Sequence, residues 1–195
     1  ADAILKRLEN VEYKVKSVKK RVTKKQPAPP FITSTMQQEA SKKLNFSSKR
    51  TMKTAQELYE GVDIEGIGAV GLITYMRTDS LRISAEAKIT ASQYIDTVYG
   101  SNYLPDKPRE YKSGKNAQDA HEAIRPSTPE LTPARVKNSL TSDQYKLYKL
   151  IWERFIASQM ANALLDTTSV ETEADNCIFR SSGYSVKFDG FMILY

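Results

Sequence analysis

The sequence predicts a multidomain α+β chain, in which a mainly α-helical domain is inserted into a discontinuous antiparallel β domain. Three observations carry that expectation. Strand-like alternation occurs near both ends, at Val11, Tyr13 and Val15 and again at Thr168, Val170 and Thr172, whereas the signals between them are mostly helical. The run Gln26-Pro27-Ala28-Pro29-Pro30 removes three backbone donors and can continue neither a helix nor a strand, so it marks a boundary. Strands that begin and end a chain can pair across a compact insertion. The expected division is a β domain of residues 1–27 and 163–195 around a helical domain of residues 28–162.

Taken in order, Ile4, Leu5 and Leu8 share one side of a helix that Asn10 stops, and a half-buried strand through Val11, Tyr13 and Val15 follows. The Lys-rich stretch 19–25 reads as exposed. Thr33 or Ser34 is the expected N-cap of a helix carrying Met36, Ala40 and Leu44. A second helix over 50–60 should bury Ala55, Leu58 and Tyr59 and end at Gly61. Gly66, Gly68 and Gly71 form a turn ahead of a short strand at Leu72-Ile73-Thr74-Tyr75. Ser84 caps a helix that runs to Tyr99 and Gly100. Residues 101–116 read as an exposed loop, Ala117–Ile124 as a short helix, and Thr132-Pro133 as an N-cap with proline at the first helical position. Ser142 opens the longest helix, whose buried stripe is Tyr145, Tyr148, Ile151, Trp152 and Phe155. Beyond Leu165 the strand pattern returns, at Cys177-Ile178-Phe179, Tyr184-Ser185-Val186 and Phe191–Tyr195.

Composition narrows the function classes. Hydrophobic residues are 40% and charged residues 27% of the 195, which argues against wholesale disorder, and no apolar run approaches a membrane span. Cys177 is the only cysteine, which excludes an internal disulfide and fits a reducing compartment; with His121 as the only histidine, a zinc site is not available. Ala1-Asp2-Ala3-Ile4 lacks a leader, so the chain reads as part of a longer polypeptide. The formal charge is +6, and residues 1–25 hold nine Lys/Arg against three Asp/Glu, so that segment carries the whole excess. A basic end on a neutral body suits phosphate contact without sequence specificity, or simply a solvated basic strand pair.

The chemistry-bearing segment is Gly71-Leu72-Ile73-Thr74-Tyr75-Met76-Arg77-Thr78-Asp79-Ser80. On extended backbone Tyr75 and Arg77 share a face, which puts a phenol beside a guanidinium. A tyrosine attacking a phosphodiester must shed a proton while charge builds on the phosphoryl oxygens, and a neighbouring arginine helps both steps. By spacing alone the pair is a weak signal, since a tyrosine at a strand end usually packs, and an ion pair with Asp79 is the alternative for Arg77.

Three strings occur in one order: Pro27-Ala28-Pro29-Pro30-Phe31 leading into Ser34-Thr35-Met36-Gln37-Gln38-Glu39-Ala40, then Thr74–Ser80, then Ala120-His121-Glu122-Ala123-Ile124-Arg125-Pro126. Together with Arg50-Thr51-Met52, Leu58-Tyr59-Glu60-Gly61 and Gly190…Tyr195, they make the chain resemble the central region of the bacterial DNA topoisomerase I family, of type IA. The resemblance implies Tyr75 as nucleophile, forming a 5′-phosphotyrosine link with single-stranded DNA. It implies Arg77 as the contact to the scissile phosphate and His121 as a supporting residue. It further implies relaxation of negative supercoils without ATP, by a monomeric cytoplasmic, nucleoid-associated bacterial enzyme with no membrane association.

The family's magnesium lies in a Toprim domain whose acidic cluster is not reproduced here; Asp63-Ile64-Glu65 stands alone. No metal is therefore expected on this chain, whose partners would be single-stranded DNA and the remaining domains of the same polypeptide. The isolated chain is expected to be inactive. The alternative reading is a non-catalytic single-stranded DNA-binding module.

Overall fold

The computed structural model describes residues 2–112 and 121–195 and divides into two compact units, Ala1–Gln26 with Asn162–Gly190 and Pro27–Ala161 with Phe191–Tyr195. Helices and antiparallel strands both contribute, so the chain is α+β.

The first unit holds helix α1 (Asp2–Leu8) and strands β1 (Lys14–Lys25), β4 (Ala163–Ala174) and β5 (Cys177–Phe188). They form an antiparallel sheet in the order β1-β4-β5, with Val18 opposite Val170 and Thr172 opposite Phe179. Asp175 and Asn176 both take positive φ, 44° and 61°, the conformation of a two-residue hairpin turn that Asp and Asn tolerate. Arg7 reaches that turn, pairing with the Asp175 carboxylate and carbonyl.

The alternation at Tyr13 and Val15 does not translate into burial. Tyr13, Val15, Val18 and Val22 are all more than half exposed, and of the sheet's residues only Ala163 and Ala174 are buried. A three-stranded ribbon has too little apolar area to fold over itself, so period-2 patterning here marks a strand and not a core.

In the second unit the core forms around α6 (Ser142–Gln159), which packs against α2 (Thr33–Leu44), α3 (Ser48–Glu60), α4 (Ala85–Tyr99) and α5 (Pro133–Val136). Thr141 caps α6 by accepting from the Gln144 N–H, and the Gln144 side chain accepts from the Thr141 N–H in return. Tyr148, Ile151, Trp152 and Phe155 are buried, while Tyr145 is only half-buried. The two buried ring polar groups are satisfied: the Tyr148 hydroxyl donates to the Leu131 carbonyl at 2.6 Å and Trp152 Nε1–H to that of Pro129 at 3.1 Å. Burial pushes the Tyr148 phenol well above its ordinary value.

Several local expectations are corrected. Residues 72–75 are not a strand; they are irregular chain, bent at Thr74, with one bridge, Ile73 to Pro126. The strands of that region are instead a small hairpin, β2 (Val62–Ile64) and β3 (Gly68–Val70). Phe191–Tyr195 is not a strand either, because Gly190–Ile193 turns as a 3-10 segment. Of the expected helix at 117–124, the first four residues lie outside the described ones. The rest is extended, with Ile124 bridged to Phe31.

The 3-10 turn brings Tyr195 onto α2 and α6. Its hydroxyl donates to Glu39 at 3.0 Å and lies 3.2 Å from Arg154 Nη1, while Arg154 Nε–H donates to the Pro29 carbonyl at 2.6 Å. For the Glu39 carboxyl, partial burial acts upward but is outweighed by Tyr195, Lys43 and Arg154, which hold it below the ordinary value of 4.5. A depressed carboxyl contributes stability that is present above its unfolded value and lost as pH falls through the lower folded one. Acid unfolding of Glu39→Gln is expected to lack that component, a difference of about 1 kcal/mol or less, readable from denaturation midpoints at roughly pH 6 and pH 3.

Candidate active site

The Tyr75 segment owes its position to hydrogen bonds from both sides. At its start the Leu72 N–H donates to the Leu58 carbonyl at 2.7 Å, at the end of α3, and the Ser127 N–H donates to the Leu72 carbonyl at 2.9 Å. Thr74 is held threefold to residues 123–125: its N–H donates to the Arg125 carbonyl at 2.9 Å, its hydroxyl donates to the Ala123 carbonyl at 2.7 Å, and that hydroxyl accepts from the Arg125 N–H at 3.0 Å. At its far end, Thr33 takes hold of the backbone of Met76 and Thr78.

The side chains along this segment sort by burial. Met76, Thr78 and Ser80 are buried, whereas Tyr75 is half-buried and Arg77 and Asp79 are exposed. Tyr75 and Arg77 therefore share the outward face. The Tyr75 ring is flanked by two others: Tyr59 meets it edge-on with centroids 5.4 Å apart, and His121 lies 4.9 Å away at an interplanar angle of 45°.

Beside them opens a cleft of about 470 Å³, lined by Ile32, Thr33, Ser34, Arg77, Thr78, Asp79 and His121. Among the described residues Arg77 has no ion-pair partner, and it lines this cleft. The chemistry available is a phenol nucleophile, a planar cation suited to phosphate oxygens and an imidazole against the phenol ring. The other polar residues of the matching strings are otherwise engaged. Arg125 is bound to Glu122 at 2.7 Å and to the Pro126 carbonyl at 3.0 Å. Glu39 is bound to Tyr195 and Lys43, and Gln38 is exposed.

Two features of the site are absent from the pattern reading. Tyr59, expected on the buried side of α3, is 42% exposed and its ring is used against Tyr75. Gly71 passes so close to α3 that an added Cβ would sit 2.7 Å from the Tyr59 carbonyl oxygen. The sequence signal for both was available: a glycine entering the extended segment, and an aromatic one residue from the helix end.

Residues 1–195 match a family model described as DNA topoisomerase. Among solved structures, the chain is similar to full-length topoisomerase I from Thermotoga maritima, in a monoclinic crystal form, at 39% sequence identity and a TM-score of 0.84. The match covers 100% of this chain and 31% of that one, so the chain spans less than a third of the length of that protein.

Proposed function

Because this chain belongs to the DNA topoisomerase family, in its bacterial type IA branch, we propose that it is the tyrosine-bearing part of a longer enzyme that relaxes negatively supercoiled DNA. Tyr75 Oη attacks the phosphorus of a single-stranded phosphodiester. The P–O3′ bond breaks as the tyrosyl P–O bond forms, and the proton lost by the phenol is balanced by the one gained at the departing 3′-hydroxyl. One phosphoester replaces another, so resealing by the reverse step needs no ATP.

What supports this reading above all is the placement of Tyr75 and Arg77 on one outward face of a segment whose backbone is fixed on both sides. Arg77 holds two phosphoryl oxygens while charge develops on them, which a fork of donors does better than a point charge. His121, against the Tyr75 ring, orients the phenol and serves proton movement at its oxygen.

Among the described residues no three His, Cys, Asp or Glu side chains come together to hold a metal. The magnesium associated with the family is assigned in this reading to the remaining domains of the polypeptide, with no step routed through it here. We expect the chain by itself not to relax DNA. Within the described residues no helix is long and apolar enough to cross a membrane, and the working place proposed is the bacterial cytoplasm, at the nucleoid.

The direct test is covalent trapping. The complete enzyme is mixed with an oligonucleotide labelled on the 3′ side of the cut and with magnesium, denatured and digested, and the labelled peptide is identified by mass. A 5′-phosphate adduct on Tyr75 is expected. An adduct on another residue, or none under conditions where the enzyme relaxes plasmid, overturns the assignment.

A further inference from the structure

Thr33, an expected N-cap, is instead the first residue of α2; the N-cap is Ile32, and the Ile32 N–H is satisfied by the Thr35 hydroxyl at 3.0 Å. The Thr33 hydroxyl is directed elsewhere. It donates to the Met76 carbonyl at 2.8 Å, with the Thr78 carbonyl at 3.0 Å, and accepts from the Thr78 N–H at 2.9 Å. The Thr33 N–H donates to the same Thr78 carbonyl at 2.9 Å. Every one of these bonds falls on the residue before or the residue after Arg77.

From this geometry we propose that Thr33 is a positioning residue for Arg77, fixing the peptide groups on both sides of it so that the guanidinium leaves the backbone in the direction the phosphate requires. The inference rests on the reading of Arg77 as the phosphate contact. Arg77 is exposed and has no ion-pair partner among the described residues. The direction of its side chain is therefore set at the Cα, by a backbone clamped to a helix of 12 residues. Donors held in place before the charge develops need no reorganisation as it forms, and a long flexible side chain gains most from a fixed root. A valine of similar shape keeps the packing at position 33 and the backbone bond to the Thr78 carbonyl, and removes only the hydroxyl's contacts with Met76 and Thr78.

The test is a double-substitution cycle in the complete enzyme, reading single-turnover cleavage of a single-stranded oligonucleotide at saturating DNA, affinity by fluorescence anisotropy and folding by thermal melting. Arg77→Ala is expected to slow cleavage roughly ten- to a hundred-fold. Thr33→Val should slow it about ten-fold with affinity held within about two-fold, and Thr33→Ser should restore the rate. In the Arg77→Ala background Thr33→Val should have no further effect, which a merely structural threonine would not produce.

Equal losses in both backgrounds, or unchanged cleavage by Thr33→Val, overturn the inference while leaving Arg77 in place. An Arg77→Ala enzyme that cleaves at the normal rate removes the phosphate-contact reading and the Thr33 inference together. Should Thr33→Val unfold, Thr33→Ala deletes the same hydroxyl and substitutes for it in the cycle.

Discussion

Tyr75→Phe is expected to lower single-strand cleavage by the complete enzyme by at least about a thousand-fold, because the change deletes the one oxygen atom proposed as nucleophile. The fold should be indifferent to the change. Tyr75 is half-buried, its hydroxyl has no hydrogen-bond partner among the described residues, and its ring would keep both the Tyr59 contact at 5.4 Å and the His121 contact at 4.9 Å. Melting should therefore shift by no more than about 0.5 kcal/mol equivalent. Affinity for a single-stranded oligonucleotide should be retained, since Arg77 and the cleft beside it are untouched. Plasmid relaxation, oligonucleotide cleavage and anisotropy on the same preparation check all three. Full cleavage by Tyr75→Phe would leave single-stranded DNA binding as the role of this region.

The residues proposed to carry this chemistry were singled out in the sequence by their order and spacing, and the burial that alternates over 76–80 fits the shared outward face expected of Tyr75 and Arg77. Helix ends were legible where a short side chain could act on its own helix, as at Ser84 and Thr132, each of which accepts from a first-turn N–H. The same rule failed at Thr33. A capping hydroxyl works by accepting, and the Thr33 oxygen accepts instead from the Thr78 N–H, 45 residues away in sequence. Strand expectations failed for a related reason. Leu72–Tyr75 and Phe191–Tyr195 have β-forming composition, but a strand needs a neighbour with a continuous row of free donors and acceptors. At 72–75 the partner chain around Pro126 offers one bridge only, because proline lacks the N–H that would extend the ladder. Tyr59 was misplaced because helical periodicity ranks residues by hydrophobicity. Its ring is instead retained at the surface by contact with Tyr75, a residue 16 positions along the chain that periodicity cannot see.

Gly71→Ala tests whether the close approach of this segment to α3 sets the reacting geometry. The new Cβ would lie 2.7 Å from the Tyr59 carbonyl oxygen, a backbone atom that cannot rotate away, so the segment or the helix end must move. Two hydrogen bonds oppose that movement. The adjacent Leu72 N–H is bonded to the Leu58 carbonyl at 2.7 Å, and the Gly71 carbonyl accepts from the Ser127 hydroxyl at 2.5 Å. Relieving the clash therefore stretches contacts on both sides of residue 71, and a destabilisation of about 2 kcal/mol is expected, within the range for overpacking a tight site. The larger effect should be on chemistry. Gly71 lies four residues before Tyr75, and Tyr59, whose carbonyl would be struck, also supplies the ring against Tyr75, so both sides of that contact shift together. A misplacement near 1 Å at a nucleophile costs about a hundred-fold in rate. Cleavage by Gly71→Ala should fall by about that factor at saturating oligonucleotide, with affinity nearly unchanged, because the Arg77 cleft is anchored separately through Thr33. A rate loss no larger than the stability loss explains, or a loss in affinity alone, would place the glycine's importance in folding or in DNA capture, and not in aiming Tyr75.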